Sequence, residues 1–110
     1  MEKSKIETYI GFCIRAGKVI FGTEMIERQK KGVLLLLMDG NTGKSSQKSA
    51  VLAKEKFNCP LIVTDEGVLA KITHRPAVKV VAITDEHLAK AILSVVDSEA
   101  QFKFYSGGNN

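Results

Sequence analysis

The run Val33-Leu34-Leu35-Leu36-Leu37-Met38 constrains this chain more than any other stretch. Six consecutive apolar residues, bounded by Gly32 and by Asp39-Gly40, leave no polar face to turn towards water. The run falls far short of the roughly 20 residues that span a bilayer as a helix. Its length argues instead for a strand buried on both faces, as in a sheet sandwiched between helices.

The flanking sequence supplies such helices. Ile6, Tyr9, Ile10, Cys13 and Ile14 follow the i, i+3, i+4, i+7, i+8 spacing of an amphipathic helix over roughly residues 3–16. Lys18 to Phe21 reads as a short strand, and a second helix runs from Thr23 to Gly32, burying Met25 and Ile26. After a polar loop from Asp39 to Ser46, a third helix turns Ala50, Ala53 and Phe57 inward and Lys44, Lys48, Lys54 and Lys56 outward. Leu61-Ile62-Val63-Thr64 is a strand, Asp65 to Ile72 a short helix, and Val78 to Thr84 a last strand. Leu88, Ala91, Ile92, Val95 and Val96 stripe a final helix that starts at Asp85-Glu86, where acidic residues suit the positive end of the helix dipole. This alternation predicts an α/β fold: a three-layer α/β/α sandwich around a small mixed sheet of about four strands. One domain is expected over residues 1–100, with a flexible tail over 101–110 that ends in Gly107-Gly108-Asn109-Asn110.

Charge is unevenly spread. Residues 1–56 carry eleven Lys/Arg against six Asp/Glu, whereas residues 57–110 carry five against six. The positive excess therefore sits in the first half, as an electrostatic footprint for nucleic acid would; lysine-rich helix faces also serve solubility alone. Met1-Glu2-Lys3-Ser4 opens no signal-peptide core, and Cys13 and Cys59 are isolated thiols placed like small buried hydrophobes. A cytoplasmic protein without a membrane partner is expected.

Gly11 to Gly22 joins the first helix to the second through a glycine turn bearing Arg15 and Lys18. Gly17 fits the left-handed position that closes a helix, and Gly22-Thr23-Glu24 fits a helix start. Such a turn either holds a phosphate backbone between its cations and the free N–H groups of the next helix, or is an ordinary surface turn.

Other motifs carry less. Gly40-Asn41-Thr42-Gly43-Lys44-Ser45 has the setting of a phosphate-binding P-loop but not its spacing, because Met38 stands where the first glycine belongs. The loop retains Lys44 and a helix start, enough for a single phosphate. His74 and His87 have no neighbours at metal-ligand spacing, and Ser45, Ser46 and Ser49 lack a base partner. Asp65-Glu66 and Asp85-Glu86 are explained as helix-start charges, and no run of exposed aromatics offers single-strand stacking. No catalytic residue, metal or cofactor is expected.

Gly11-Phe12-Cys13-Ile14-Arg15-Ala16-Gly17-Lys18, Gly22, Gly32 and the block from Val81 to Ile92 together resemble the bacterial YlxQ-like branch of the kink-turn-binding ribosomal protein superfamily, over roughly residues 3–97. Val68-Leu69-Ala70-Lys71 is similar to that family's Leu-Gly-Lys loop, with alanine in place of glycine. The resemblance implies an α/β/α sandwich that binds structured RNA, ribosomal RNA foremost, in the company of ribosomal or translation-associated proteins. It maps RNA contacts onto Gly22-Thr23-Glu24 with Arg28, onto Asn41 to Lys48, and onto Lys71 to Val78. The family's kink-turn readers carry Gly-x-Asn-Glu-x-x-Lys; here Glu24, Met25 and Arg28 take the three reading positions, so only the cation is kept. The implied phosphate contacts are Arg15, Lys18, Arg28, Lys44, Lys48, Lys71 and Arg75, with Gly22 and Thr23 presenting a helix N-terminus. Two alternatives stand beside this one: a protein-interaction module that has lost its RNA site, and a small nucleotide-binding protein using Gly40 to Ser45.

Overall fold

The structure, a computed structural model, describes residues 4–106. The expected tail residues 107–110 and the first three residues of the chain lie outside the described part. In chain order the elements are α1 (Lys5–Arg15), β1 (Val19–Phe21), α2 (Thr23–Glu27), β2 (Leu35–Asp39), α3 (Lys44–Phe57), β3 (Leu61–Thr64), α4 (Val68–Thr73), β4 (Val80–Ile83), α5 (Glu86–Val95) and β5 (Phe102–Phe104), with a 3-10 turn at Val96–Ser98. The strands form one sheet in the order β1-β4-β2-β3-β5. Only β2 and β3 run parallel; the other three pairings are antiparallel.

β2 is the middle strand, and all five of its residues are buried. Alternation along it divides the core in two. Leu35 and Leu37 pack with Ile6, Ile10, Leu69 and Ile92 beneath α1, α4 and α5. Leu36 and Met38 pack with Ile26, Ala50 and Ala53 beneath α2 and α3. Three layers follow from that partition, as the apolar run requires. The strand starts later than the run does: Val33 is buried ahead of it, while Leu34 is 37% exposed and only its N–H joins the sheet, donating to Ile83 O at 2.9 Å.

Several expectations need correcting, among them the burial of Met25, which is 46% exposed. The sheet has five strands rather than about four, and the fifth, Phe102–Phe104, lies in the segment expected to be a flexible tail. Its order comes from distant partners: Phe102, Lys103 and Phe104 pair with Thr64, Val63 and Ile62, and the Phe102 ring enters the core. The second helix is also shorter than expected, spanning only Thr23–Glu27. The Lys56 ammonium ends it by donating to the Glu27 and Gln29 carbonyls at 3.0 and 2.7 Å, a cation at the negative helix end.

Helix ends elsewhere are closed by side chains. Ser4 Oγ accepts the Glu7 N–H at 3.1 Å, and Asp85 accepts the Leu88 N–H at 2.8 Å. Glu99, just before β5, reaches back to the start of α1 and accepts from the Ser4 hydroxyl and from the Lys5 and Ile6 N–H groups. The beginning and end of the domain are thereby tied together.

Candidate nucleic-acid interface

The pairing register gathers one set of strand ends. Phe21 lies opposite Val81, Met38 opposite Val80, Asp39 opposite Thr64, and Thr64 opposite Phe102. The ends of β1, β2 and β3 and the starts of β4 and β5 therefore share one edge of the domain, together with the starts of α2, α3 and α4.

Asp39 organises this edge. The residue is 1% exposed, and its carboxylate accepts the Asn41 N–H at 2.8 Å, the Gly67 N–H at 3.1 Å on both oxygens, and the Leu69 N–H at 3.2 Å. A buried carboxylate is tolerable only when hydrogen bonded in this way. The Asp39 carbonyl also accepts from the Thr42 N–H and hydroxyl. Gly40 must be glycine for room: a Cβ there would stand 2.6 Å from the Thr64 carbonyl oxygen. Since the Asn41 and Thr42 amides already point at Asp39, the loop has no ring of free N–H groups to wrap a nucleotide's phosphates.

Beyond that loop α3 begins without a side-chain cap, at Gly43, and its first turn contains Lys44 and no acid. Across from it lies a cleft of about 240 Å³ lined by Phe21, Gly22, Thr23, Ser46, Val78 and Lys79. Gly22, the residue before α2, has φ +89°, which a side chain would strain. The Gly22 N–H donates to Val80 O at 2.9 Å and fixes this turn to β4. The Arg75 guanidinium lies over the Phe21 ring, 4.1 Å from its centroid. That stack holds an exposed cation beside the cleft without neutralising it. Among the described residues the one ion pair joins Glu86 and Lys90, so none of Lys44, Arg75 and Lys79 is paired with a carboxylate.

The residues expected to touch RNA do not all meet here. Gly22 and Thr23 line the cleft and Arg75 flanks it over Phe21, whereas Lys44 and Lys48, one turn apart on α3, line a separate groove on the other flank of that helix. Arg15 and Lys18 lie at neither. Lys18 sits at the other end of β1, where its carbonyl accepts the Thr84 N–H at 3.0 Å, and four extended residue steps of about 13 Å separate it from Gly22. Gly17 adopts φ +71°, as expected of its turn, but the turn faces the far edge. Arg15 there stacks on the Phe12 ring at 5.0 Å. Arg28 lies beside the last turn of α3, next to the contacts of Lys56, about 18 Å along that helix from Lys44. Lys71, on α4, borders a hollow shared with Glu7 and Glu66, whose charges offset its own. With Asp65 they make the β3 side of the edge acidic and bound the basic surface.

Ser46 lies within the Asn41–Lys48 segment that the resemblance marked, whereas Lys79 was not singled out from sequence. Lys79 falls one residue past the Lys71–Val78 segment that the resemblance marked. The Phe21 ring is partly buried and packs against the core on one side. Both thiols are buried, as expected. Burial pushes the Cys13 thiol up to about 11, with the Asp85 carboxylate adding to the effect; burial also raises that of Cys59, opposed by Lys54. Among the described residues no group of three or more His, Cys, Asp or Glu is placed to hold a metal ion, and no helix is long and apolar enough to cross a membrane.

No family model matches the chain, and no curated protein matches it. A solved structure from Bacillus halodurans C, described as a protein with unknown function, superposes on it with a TM-score of 0.73 at 16% identity. The match covers 86% of this chain and 99% of the other. The likeness is one of fold. It extends over the whole of the Bacillus domain and carries no activity with it.

Proposed function

We propose that this chain is a non-enzymatic RNA-binding protein of the cytoplasm, associated with ribosomal RNA, that holds structured RNA against the edge formed by Gly22, Lys44, Arg75 and Lys79. One observation carries this reading: Lys79 lines a cleft that no carboxylate lines, Arg75 flanks it on the Phe21 ring, and the uncapped α3 start with Lys44 lies at the same edge, none of these cations being ion-paired. Backbone N–H groups and cations together suit phosphate oxygens. The resemblance to the kink-turn-binding superfamily agrees with it. Glu24 and Met25, which replace the superfamily's base-reading pair, favour contacts to backbone and shape over base readout.

The test is a titration of fluorescently labelled ribosomal RNA hairpins and internal loops at rising salt. Three phosphate contacts give a slope of about −3 in log affinity against log salt, or roughly a 40-fold loss between about 50 and 200 mM. Arg75→Ala/Lys79→Ala should flatten that slope by about two. Binding that ignores both salt and the double substitution overturns the proposal. A protein partner that stays bound after nuclease treatment would then favour the interaction-module reading.

A further inference from the structure

A second groove, of about 260 Å³, runs along the other flank of α3; it shares the helix start with the cleft but no lining residue. Lys44, Lys48, Val51, Leu52 and Glu55 line it at helical spacing, and Tyr105 forms the opposite wall. Its chemistry changes along its length. Two cations stand at the end nearest the cleft, two aliphatic side chains occupy the middle, and one carboxylate closes the far end, about 17 Å away from Lys44 along the helix. Leu52 is 55% exposed, the most exposed large apolar side chain among the described residues. Tyr105 is half-buried and its backbone is pinned, its N–H donating to Leu61 O at 2.8 Å. Its ring packs against the core that lies beneath α3.

We infer that this groove takes an unpaired stretch of RNA, with a phosphate on Lys44 and Lys48 and a base laid against Leu52 and the Tyr105 ring. The inference rests on the RNA-binding reading and adds to it a second kind of substrate: single-stranded, purine-rich RNA leading out of the structured element. Lys44 and Lys48 stand one helical turn apart, about 6 Å along α3, so one strand can lay a phosphate on each. Glu55 repels a phosphate at the far end, which sets the polarity of phosphate near the cleft and base near Tyr105. Stacking on an aromatic ring accepts any base, and purines give it the largest face. No local sequence signal marks the groove, because Tyr105 reaches α3 only through the pairing of β5 with β3.

The chain offers its own reporter. It has no tryptophan and two tyrosines, so in a Tyr9→Phe protein all tyrosine emission comes from Tyr105. Hexaadenylate is expected to quench that emission saturably, and Leu52→Glu, made at an exposed position, should weaken the interaction by about 5-fold or more. A labelled ribosomal RNA hairpin with no single-stranded end should bind the same proteins without quenching, and Leu52→Glu should leave its affinity within about twofold. A hairpin that binds while hexaadenylate leaves Tyr105 emission unchanged overturns the groove and spares the cleft. Quenching by hexaadenylate without hairpin binding supports the groove and overturns the structured-RNA reading. Quenching that survives Leu52→Glu unchanged, or binding of neither RNA, overturns the groove outright.

Discussion

Both carboxylate oxygens of Asp39 accept the N–H of Gly67, 28 residues away, at 3.1 Å. The same carboxylate holds the N–H groups of Asn41 and Leu69, so the loop after β2 and the start of α4 share one buried anion. Asp39→Asn offers one acceptor oxygen and turns an amide N–H₂ towards donors. With at least two charge-assisted bonds lost, the substitution should cost about 3 kcal/mol or more. Denaturant unfolding would measure it; a loss below about 1 kcal/mol would show that the anion does not organise this edge.

Gly40 and Gly43 flank the same loop and should respond differently to alanine. At Gly40 the added methyl meets the Thr64 carbonyl oxygen at 2.6 Å and Glu66 N at 3.2 Å, both backbone atoms that cannot swing aside. About 1–3 kcal/mol of destabilisation is expected there. At Gly43 nothing lies within 4 Å and φ is −65°, so Gly43→Ala should change stability by less than about 0.5 kcal/mol. Paired melting curves decide the contrast.

RNA affinity should separate the two ends of the sheet. Arg75→Ala removes a cation from the cleft and should weaken hairpin binding by about 5- to 10-fold at low salt. Arg15→Ala/Lys18→Ala removes two cations from the far edge and should stay within about twofold. If the far-edge pair costs as much as Arg75, the RNA spans the whole molecule rather than one edge.

Alkaline conditions should destabilise the domain through Cys13. Burial and Asp85 favour the neutral thiol, so its folded value, about 11, lies above the ordinary value of 9.0. Its contribution to stability is complete below pH 9 and is lost as pH climbs from 9 towards 11, because the unfolded chain ionises first. Melting temperature followed over that window should fall for the native protein and fall less for Cys13→Ala. At neutral pH a thiol reagent should label the folded protein far more slowly than the denatured chain.

How much of this was legible beforehand differs by element. Val33 to Met38 announced a two-sided strand because no polar residue interrupts it, and the stripes on α1 and α5 announced their buried faces. β5 was hidden: Phe102-Lys103-Phe104 has no periodicity long enough to read, and its order depends on a strand some 40 residues earlier. At the candidate site, nearness in sequence misled. Lys18 and Gly22 are four residues apart, but a helix would have kept them on one side, whereas β1 carries them to opposite edges. Lys79 joined the cleft through tertiary packing alone, which no local spacing encodes.

The leucine run of β2 has a less obvious consequence. Sliding it by one position would trade Leu35 and Leu37 for Leu36 and Met38, side chains of much the same size and polarity. A strand that reads nearly the same in either phase cannot index itself by hydrophobicity. Asp39 breaks the degeneracy, since only one phase delivers its carboxylate to Gly67 and its glycine neighbour to the space beside Thr64. The register that places the α3 start is therefore timed by one anion at the end of the strand, not by the apolar residues of its middle.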